Sequence, residues 1–148
     1  MNTSILALLI AASLTATVTA ATYDVIEGTI DAPDDFVFKR TGTIDSFMGT
    51  LTRKTDGFTI KFDIGAMSGM YVFVRDGEED SKWSYLRQHV IAGRPAWTGI
   101  ETTPQGRQIS STVGDVRKRQ EPANFTAAIQ KDSDIADFLL IVGTYKAK

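Results

Sequence analysis

A strict alternation of apolar and polar residues constrains the fold of this chain more than any other feature of its sequence. In the segment FTIKFDI (residues 58–64) every second residue is apolar, and polar residues lie between them. This period of two is typical of a β-strand with one buried face and one solvated face. Asp56 and Gly57 precede the segment, and an Asp-Gly pair between two strand-like segments indicates a tight hairpin turn. We therefore predict that residues 43–53 and 58–64 pair as antiparallel strands.

Further candidate strands follow in the middle of the chain. MYVFV (70–74) is apolar on both faces, which favours a central strand that is covered on both sides. The segment 83–100 predicts a second hairpin with its turn near residues 92–94, because strand-like residues flank a glycine there. A helix is the alternative for its first half, since Trp83, Leu86 and Val90 also match helical spacing. Residues 107–113 predict a weaker strand.

The C-terminal third combines a strand, a helix and a final strand. ANFTAAIQ (123–130) reads as a strand, and KDSDIADFLLIVGTYK (131–146) predicts a short helix followed by a last strand. Asp132, Ser133 or Asp134 can begin the helix by accepting hydrogen bonds from backbone N–H groups of its first turn. We predict an α+β fold, a mainly antiparallel β-sheet with a short C-terminal helix before the last strand.

The first twenty residues carry no charged side chain. They contain an apolar run from Ile5 to Ala12, and VTA (18–20) matches the small-x-small pattern that signal peptidase reads. A membrane anchor is the alternative, but the apolar run is short and no basic flank follows it. We predict that residues 1–20 are a signal peptide and that 21–148 form a single periplasmic or secreted domain, without a stable membrane span after cleavage.

The composition excludes several kinds of chemistry. The chain has no cysteine, so disulfides, thiolate metal sites and cysteine nucleophiles are impossible. Its net charge is −2, from 16 basic and 18 acidic residues, which gives no electrostatic reason to expect a nucleic acid partner. The single histidine, His89, has no second histidine or carboxylate cluster around it in the sequence. We therefore expect a monomer with no cofactor and no bound metal.

Asp45 and Ser46 interrupt the first strand of the predicted hairpin. An extra residue inserted there would bring the apolar residues of the strand to one face, as a β-bulge does. Gly49 favours the same interpretation, because glycine inside a strand often marks a bulge or a close backbone approach. We predict a structural bulge formed by Asp45, Ser46 and Gly49. The alternative, a nucleophilic Ser46, lacks both the G-x-S-x-G pattern and an identified base.

Two features are candidates for contacts with a ligand or a partner. Arg117, Lys118 and Arg119 form a basic cluster that could bind an anionic ligand or an acidic protein surface, although short charge runs also occur in solvated loops. His89 lies in LRQHVIAG and could contact a ligand through either ring nitrogen.

The predicted hairpin and the C-terminal segment resemble known exported proteins. D-S-x-x-G at residues 45–49 and D-I-G at residues 63–65 resemble a pattern of small exported bacterial proteins of unknown function. The ending ANFTAAIQKDSDIADFLLIVGTYK is similar to the sheet-and-helix architecture of the photosystem protein PsbP and its exported relatives. The resemblance implies export, one α+β domain, and paired bulge-and-turn residues, and it carries no catalytic residues over to this chain.

These observations favour a periplasmic or secreted non-enzymatic domain that binds a protein or a small ligand in the cell envelope. Two alternatives stay open. The first is an envelope hydrolase that uses dispersed carboxylates with His89. The second is an inhibitor of a secreted enzyme, which would insert an exposed loop such as 76–82 or 102–106 into its target. A deep pocket that holds His89 together with acids would favour the hydrolase. A flat aromatic patch would favour the binding domain, and a rigid protruding loop would favour the inhibitor.

Overall fold

The computed structural model describes residues 19–42, 45–72, 83–115, 118 and 120–148. Within these residues the chain forms, in order, β1 (Ala20–Asp24), β2 (Gly28–Pro33), β3 (Phe36–Gly42), β4 (Phe47–Arg53), β5 (Thr59–Ile64), β6 (Trp83–Ile91), β7 (Arg94–Thr103), β8 (Gly106–Val113), β9 (Ala123–Ile129), α1 (Asp132–Gly143) and β10 (Lys146–Ala147). The predicted fold class is confirmed: the strands are antiparallel, and one short helix precedes the last strand in the described chain.

In the described part of the chain, seven strands form the larger sheet, in the order β3-β4-β5-β9-β8-β7-β6. The hairpin predicted from the alternation is confirmed, because β4 and β5 pair antiparallel with Phe47 opposite Ile64. The second predicted hairpin, β6–β7, turns at Ala92 and Gly93, whose φ angles are 47° and 78°. Positive φ at both central residues matches the twist of the flanking strands and is favoured in two-residue hairpin turns.

A smaller sheet consists of β1, β2 and β10, with β2 at its centre. Helix α1 joins the larger sheet to this one, because it lies between β9 and β10 in the chain. The helix begins where the Asp134 carboxylate accepts hydrogen bonds from the backbone N–H groups of Gln130 and Lys131, at 2.9 and 3.0 Å. No helix among the described residues is long and apolar enough to cross a membrane.

The core lies between the larger sheet and α1. We call the face of the sheet that packs against α1 the helix face, and the opposite one the outer face. The helix face and α1 together bury Phe47, Leu51, Ile60, Phe62, Ile64, Ile109, Val113, Phe125, Ile129, Phe138, Ile141 and Val142. The outer face carries polar side chains, which alternate with buried apolar residues along β5, whereas Ser110 and Thr112 of β8 and Asn124 of β9 are buried on that face. In β5 the alternation in the sequence therefore separates core from solvent as predicted.

Asp45 and Ser46 do not interrupt a strand. They form a bend before β4 begins, and β4 then pairs regularly with β5. The register shift lies in the neighbouring strand β3, between Arg40 and Gly42. No extra residue is needed to align the apolar side chains, because β4 and its buried face begin at Phe47, after Asp45 and Ser46. The bulge expected at Asp45, Ser46 and Gly49 is therefore corrected to a bend before β4 and an irregularity in β3.

The strand predicted at residues 70–74 is wrong in its described part. Tyr71 and Val72 form a bend, and their backbone N–H groups donate to the side chains of Asn124 at 3.0 Å and Thr112 at 2.9 Å. Side-chain acceptors on the outer face thus replace the carbonyl groups of a neighbouring strand. Residues 73–82 lie outside the described chain.

Candidate functional site

A cavity of about 300 Å³ lies between strand β6 and helix α1. It is lined by Tyr85, Arg87 and His89 of β6, Thr98 of β7 and Leu139 of α1, and we call it the His89 cavity. The three β6 residues share one side of the sheet because alternate residues of a strand point the same way. Their side is the helix face, and β6 is the last strand in the order of the sheet. The cavity therefore forms where the edge of the sheet meets the helix.

A chain of hydrogen bonds runs from His89 into the sheet. His89 Nε2 lies 2.8 Å from Thr98 Oγ1, and Thr98 Oγ1 lies 2.7 Å from Ser111 Oγ. Ser111 Oγ donates to the backbone carbonyl oxygen of Trp97 at 3.1 Å. The register places these groups together, because Arg87 is opposite Thr98 in β7 and Thr98 is opposite Ser111 in β8. The two hydroxyl groups are buried, with Thr98 2% and Ser111 0% exposed.

The carbonyl oxygen of Trp97, at the end of this series of hydrogen bonds, determines the direction of each of them. A carbonyl oxygen can only accept, so the single O–H of Ser111 is committed to Trp97. The O–H of Thr98 then donates to Ser111, and the Nε2–H of His89 donates to Thr98. A neutral imidazole protonated at Nε2 has an acceptor lone pair at Nδ1. No described residue donates a hydrogen bond to this Nδ1.

The surroundings of His89 favour its neutral form. Burial lowers the pKa of His89, and the positive charge of Arg87 lowers it further. No acidic side chain of the described chain lines the cavity. Arg87 is exposed and makes no ion pair with any described residue, whereas Arg53, Arg107, Lys131 and Lys148 each pair with a carboxylate. Among the described residues, the cavity thus presents one cation without a carboxylate partner beside one neutral hydrogen-bond acceptor.

The hydroxyl groups beside His89 are unsuited to nucleophilic attack. In a Ser–His site the histidine accepts the proton of the nucleophile, and a third group orients the histidine. Here His89 donates to Thr98, both hydroxyl groups are buried, and no described carboxylate lines the cavity. The arrangement can position a ligand against His89, but it does not activate a serine or threonine.

Asp45 and Ser46 line a second cavity, of about 250 Å³. Glu27, Gly65 and Glu121 also line it, so the two segments that carried the resemblance meet at this place. No histidine, lysine or arginine occurs in its described lining. Ser46 therefore has no histidine or lysine beside it in this lining, and the pair forms a local bend.

A third cavity, of about 230 Å³, lies on the outer face beside Lys61, Gln108 and Thr126. The hydroxyl groups there already bond to one another, since Ser110 Oγ lies 3.0 Å from Thr126 Oγ1. Thr126 also donates to the carbonyl oxygen of Ile109 at 3.2 Å. Its described lining also includes the polar side chains of Lys61, Gln108 and Gln130, but no histidine and no acid.

Of the two candidates for ligand or partner contact, His89 lines the cavity between β6 and α1 and Lys118 does not. Lys118 is exposed, and its backbone N–H donates to the carbonyl oxygen of Asp115 at 2.9 Å. Arg117 and Arg119 lie outside the described residues, as does the loop 76–82. The residues 102–106 form the end of β7 and the short turn into β8.

Sequence reasoning found His89 and missed the other residues of its cavity. Tyr85 and Arg87 had a usable signal, since they precede His89 at a spacing of two in a strand-like segment. Thr98, Ser111 and Leu139 had none, because only the strand register and the packing of the helix bring them to this place.

No known family model matches the chain, and no curated protein matches it significantly. Within the described ranges, no group of three or more histidine, aspartate or glutamate side chains could hold a metal ion. The interpretation of the His89 cavity therefore depends on its own chemistry.

Proposed function

We propose that this protein is an exported, non-enzymatic domain of the cell envelope that binds a small ligand in the His89 cavity. The observation that carries the proposal is the hydrogen-bond chain from His89 to the carbonyl oxygen of Trp97. It fixes the imidazole with its Nδ1 acceptor free among the described residues, in a cavity large enough for a small organic molecule.

The same geometry favours binding over hydrolysis. The hydrolase alternative needs an accessible nucleophile, or a carboxylate that activates water beside His89. The described lining contains no carboxylate, its one charged side chain is Arg87, and its threonine, Thr98, is buried at 2% exposure. Leu139 and Tyr85 add apolar surface, with 43% and 46% of each residue exposed, and covering such surface favours binding.

Export rests on the sequence of residues 1–20, which has the apolar run and the small-x-small ending of a signal peptide. The absence of cysteine is compatible with an oxidising compartment, because no thiol is present to be oxidised. Mass spectrometry of the protein recovered from its producing cells tests this part. We expect an N-terminus at Ala21, whereas an intact Met1 in a membrane fraction would contradict export with cleavage.

The single histidine allows a direct test of ligand binding. In ¹⁵N-labelled protein the imidazole signals can come only from His89, so they report the cavity without further assignment. We expect at least one member of a panel of acids, amines, sugars and nucleosides to shift these signals saturably and to be recovered unchanged. Conversion of the compound to a product would favour the hydrolase instead.

Two neighbouring helix residues provide a matched pair of variants. Leu139 lines the cavity, whereas Leu140 does not. Both are partly exposed, Leu139 by 43% and Leu140 by 61%. Leu139→Trp should fill the cavity and abolish the ligand-induced shift, and Leu140→Trp should leave it unchanged. Equal binding by both variants, or no shift with any compound, would contradict the proposed function.

A further inference from the structure

The charge of the His89 cavity is unbalanced in the described chain. Arg87 is its one charged lining residue, and no described carboxylate pairs with it. By contrast, Arg53 at the other end of the helix contacts three carboxylates. An uncompensated arginine in a concave site attracts an anion, and its guanidinium can hold a carboxylate with two parallel hydrogen bonds.

The net positive charge of the cavity lining indicates which anions it can bind. One guanidinium beside a neutral imidazole gives a single positive charge. A monoanion would be balanced by this charge, whereas a dianionic phosphate would need a second cation that the described lining does not supply. The cavity is therefore matched to a carboxylate.

The other lining groups set two further requirements. Nδ1 of His89 accepts hydrogen bonds, so a complementary ligand carries an N–H or O–H donor close to its carboxylate. Leu139 and the ring of Tyr85 are partly exposed apolar surfaces, so the ligand gains from an apolar group that covers them. These groups belong to one small cavity, so one ligand must satisfy all three requirements.

We propose that the His89 cavity binds a small carboxylate with an adjacent N–H donor and an apolar side chain, the combination present in an N-acylated α-amino acid. This inference rests on the proposed function, because it names the ligand class of the same cavity. The same chemistry occurs in a free N-acyl amino acid and in the C-terminal residue of a peptide. In both, Arg87 holds the carboxylate, His89 accepts the amide N–H, and Leu139 contacts the side chain.

N-acetyl-L-leucine is the probe, and two analogues each remove one feature of it. N-acetyl-L-leucinamide lacks the carboxylate, and N-acetyl-N-methyl-L-leucine lacks the N–H donor. The dissociation constant of each is measured from the His89 imidazole ¹⁵N shifts. We expect saturable binding of N-acetyl-L-leucine and affinities weaker by at least about tenfold for both analogues, since each loses one charge-assisted or buried hydrogen bond.

Arg87→Gln tests the proposed carboxylate contact in the protein, and Lys61→Gln is its control. Lys61 is an exposed cation on the outer face, remote from this cavity in the sheet order. Arg87→Gln should weaken binding of N-acetyl-L-leucine about tenfold, as expected for a lost charge-assisted pair, and Lys61→Gln should leave it unchanged. Arg87→Gln should fold normally because its side chain is exposed, which an unchanged melting temperature would verify.

The outcomes separate this inference from the proposed function. Equal affinity for the acid and the amide, or an unchanged affinity in Arg87→Gln, would overturn the carboxylate assignment. If no carboxylate binds but another compound shifts His89, the inference fails while ligand binding stands, and if nothing shifts His89 both fail. The peptide N-acetyl-Ala-Ala-Leu distinguishes the two sources: tighter binding than N-acetyl-L-leucine supports a peptide C-terminus, and equal or weaker binding supports a free acid.

Discussion

Arg53 connects strand β4 to helix α1 through a cluster of ion pairs. Its side chain is 7% exposed, donates to Asp134 and Asp56 at 2.7 Å each, and also pairs with Asp137. Burial alone would raise the pKa of Asp134, but hydrogen bonds from Arg53 and from two backbone N–H groups hold it below its usual value. The Arg53 guanidinium lies 4.9 Å from the centre of the Phe58 ring. This cation–π contact further stabilises the position of the arginine.

Arg53→Met should lower the free energy of unfolding by about 3–5 kcal/mol, because it leaves the Asp134 carboxylate buried without its cation. Urea unfolding measures the change. Arg107→Gln is the matched control, since Arg107 pairs with Asp132 at 3.3 Å where both are solvent-exposed, and such pairs contribute about 1 kcal/mol or less. A loss below about 1 kcal/mol for Arg53→Met would contradict the central role of this cluster.

The sequence shows why His89 could be predicted as a candidate and Arg53 could not. His89 is the single histidine, so its residue type alone drew attention to it. Arg53 is one of several basic residues, and its partners Asp134 and Asp137 are 81 and 84 positions away. Only the finished fold brings these charges together.

At the scale of the secondary structure elements, Gly49 fixes how closely β4 approaches its neighbours. A Cβ at this position would lie 2.3 Å from a ring carbon of Phe62 and 2.9 Å from the carbonyl oxygen of Lys39. The Phe62 ring is buried at 2% exposure and stacks with Phe38 and Phe47. Neither the Phe62 ring nor the Lys39 carbonyl group can move freely. The close backbone approach that the sequence indicated as one reason for a glycine at position 49 is therefore present.

Gly49→Ala should destabilise the protein by about 1–3 kcal/mol, the usual cost of overpacking a core. Gly143→Ala is the opposite case. Gly143 is the last residue of α1, and a Cβ there meets no atom within 4 Å, so alanine should stabilise by up to about 1 kcal/mol through its higher helix propensity. Thermal unfolding of both variants measures the signs, and two changes of equal sign would contradict this account of the glycines.

The alternation of apolar and polar residues in the sequence predicted the strands in which every second residue is large and buried. In β5 these are Ile60, Phe62 and Ile64, and the pattern was sufficient. In β2 the buried positions include Gly28 and Ala32, whose small side chains give no clear apolar signal. The strands β1 to β3 were therefore missed because small residues or exposed positions replace the alternation there.

At the scale of the whole molecule, Tyr145 joins the smaller sheet to the common core. It is 1% exposed, and its ring centre lies 5.6 Å from that of Phe125 on the helix face. Burial raises the pKa of Tyr145 to about 12. The next residue, Lys146, pairs with Thr29 of β2. The two sheets thus share one core and should unfold together.

Tyr145→Ala should lower the free energy of unfolding by about 3–5 kcal/mol, as for other large buried aromatic residues. Tryptophan fluorescence reports the larger sheet through Trp83 and Trp97, and far-UV circular dichroism reports both sheets. The two denaturation curves should coincide in the wild type and in the variant. Leu140→Ala, at an exposed position, is the control with little expected effect. Separate transitions would contradict a shared core.

A ¹⁵N NMR pH titration of the His89 imidazole tests the proposed ligand site most directly. We predict that Nε2 is protonated and Nδ1 unprotonated at pH 7, because the series of hydrogen bonds from His89 ends at a carbonyl oxygen. Burial and the charge of Arg87 lower the pKa of His89, so the midpoint of the titration should lie below the usual histidine value of 6.5. The pKa of His89 is lower in the folded protein than in the unfolded chain, so the unfolded chain takes up a proton at a higher pH. The stability that neutral His89 contributes is therefore complete above about 6.5 and is lost as the pH falls through the pKa of the folded state. A proton on Nδ1, or a charged imidazolium at pH 7, would contradict the acceptor on which the proposed ligand site depends.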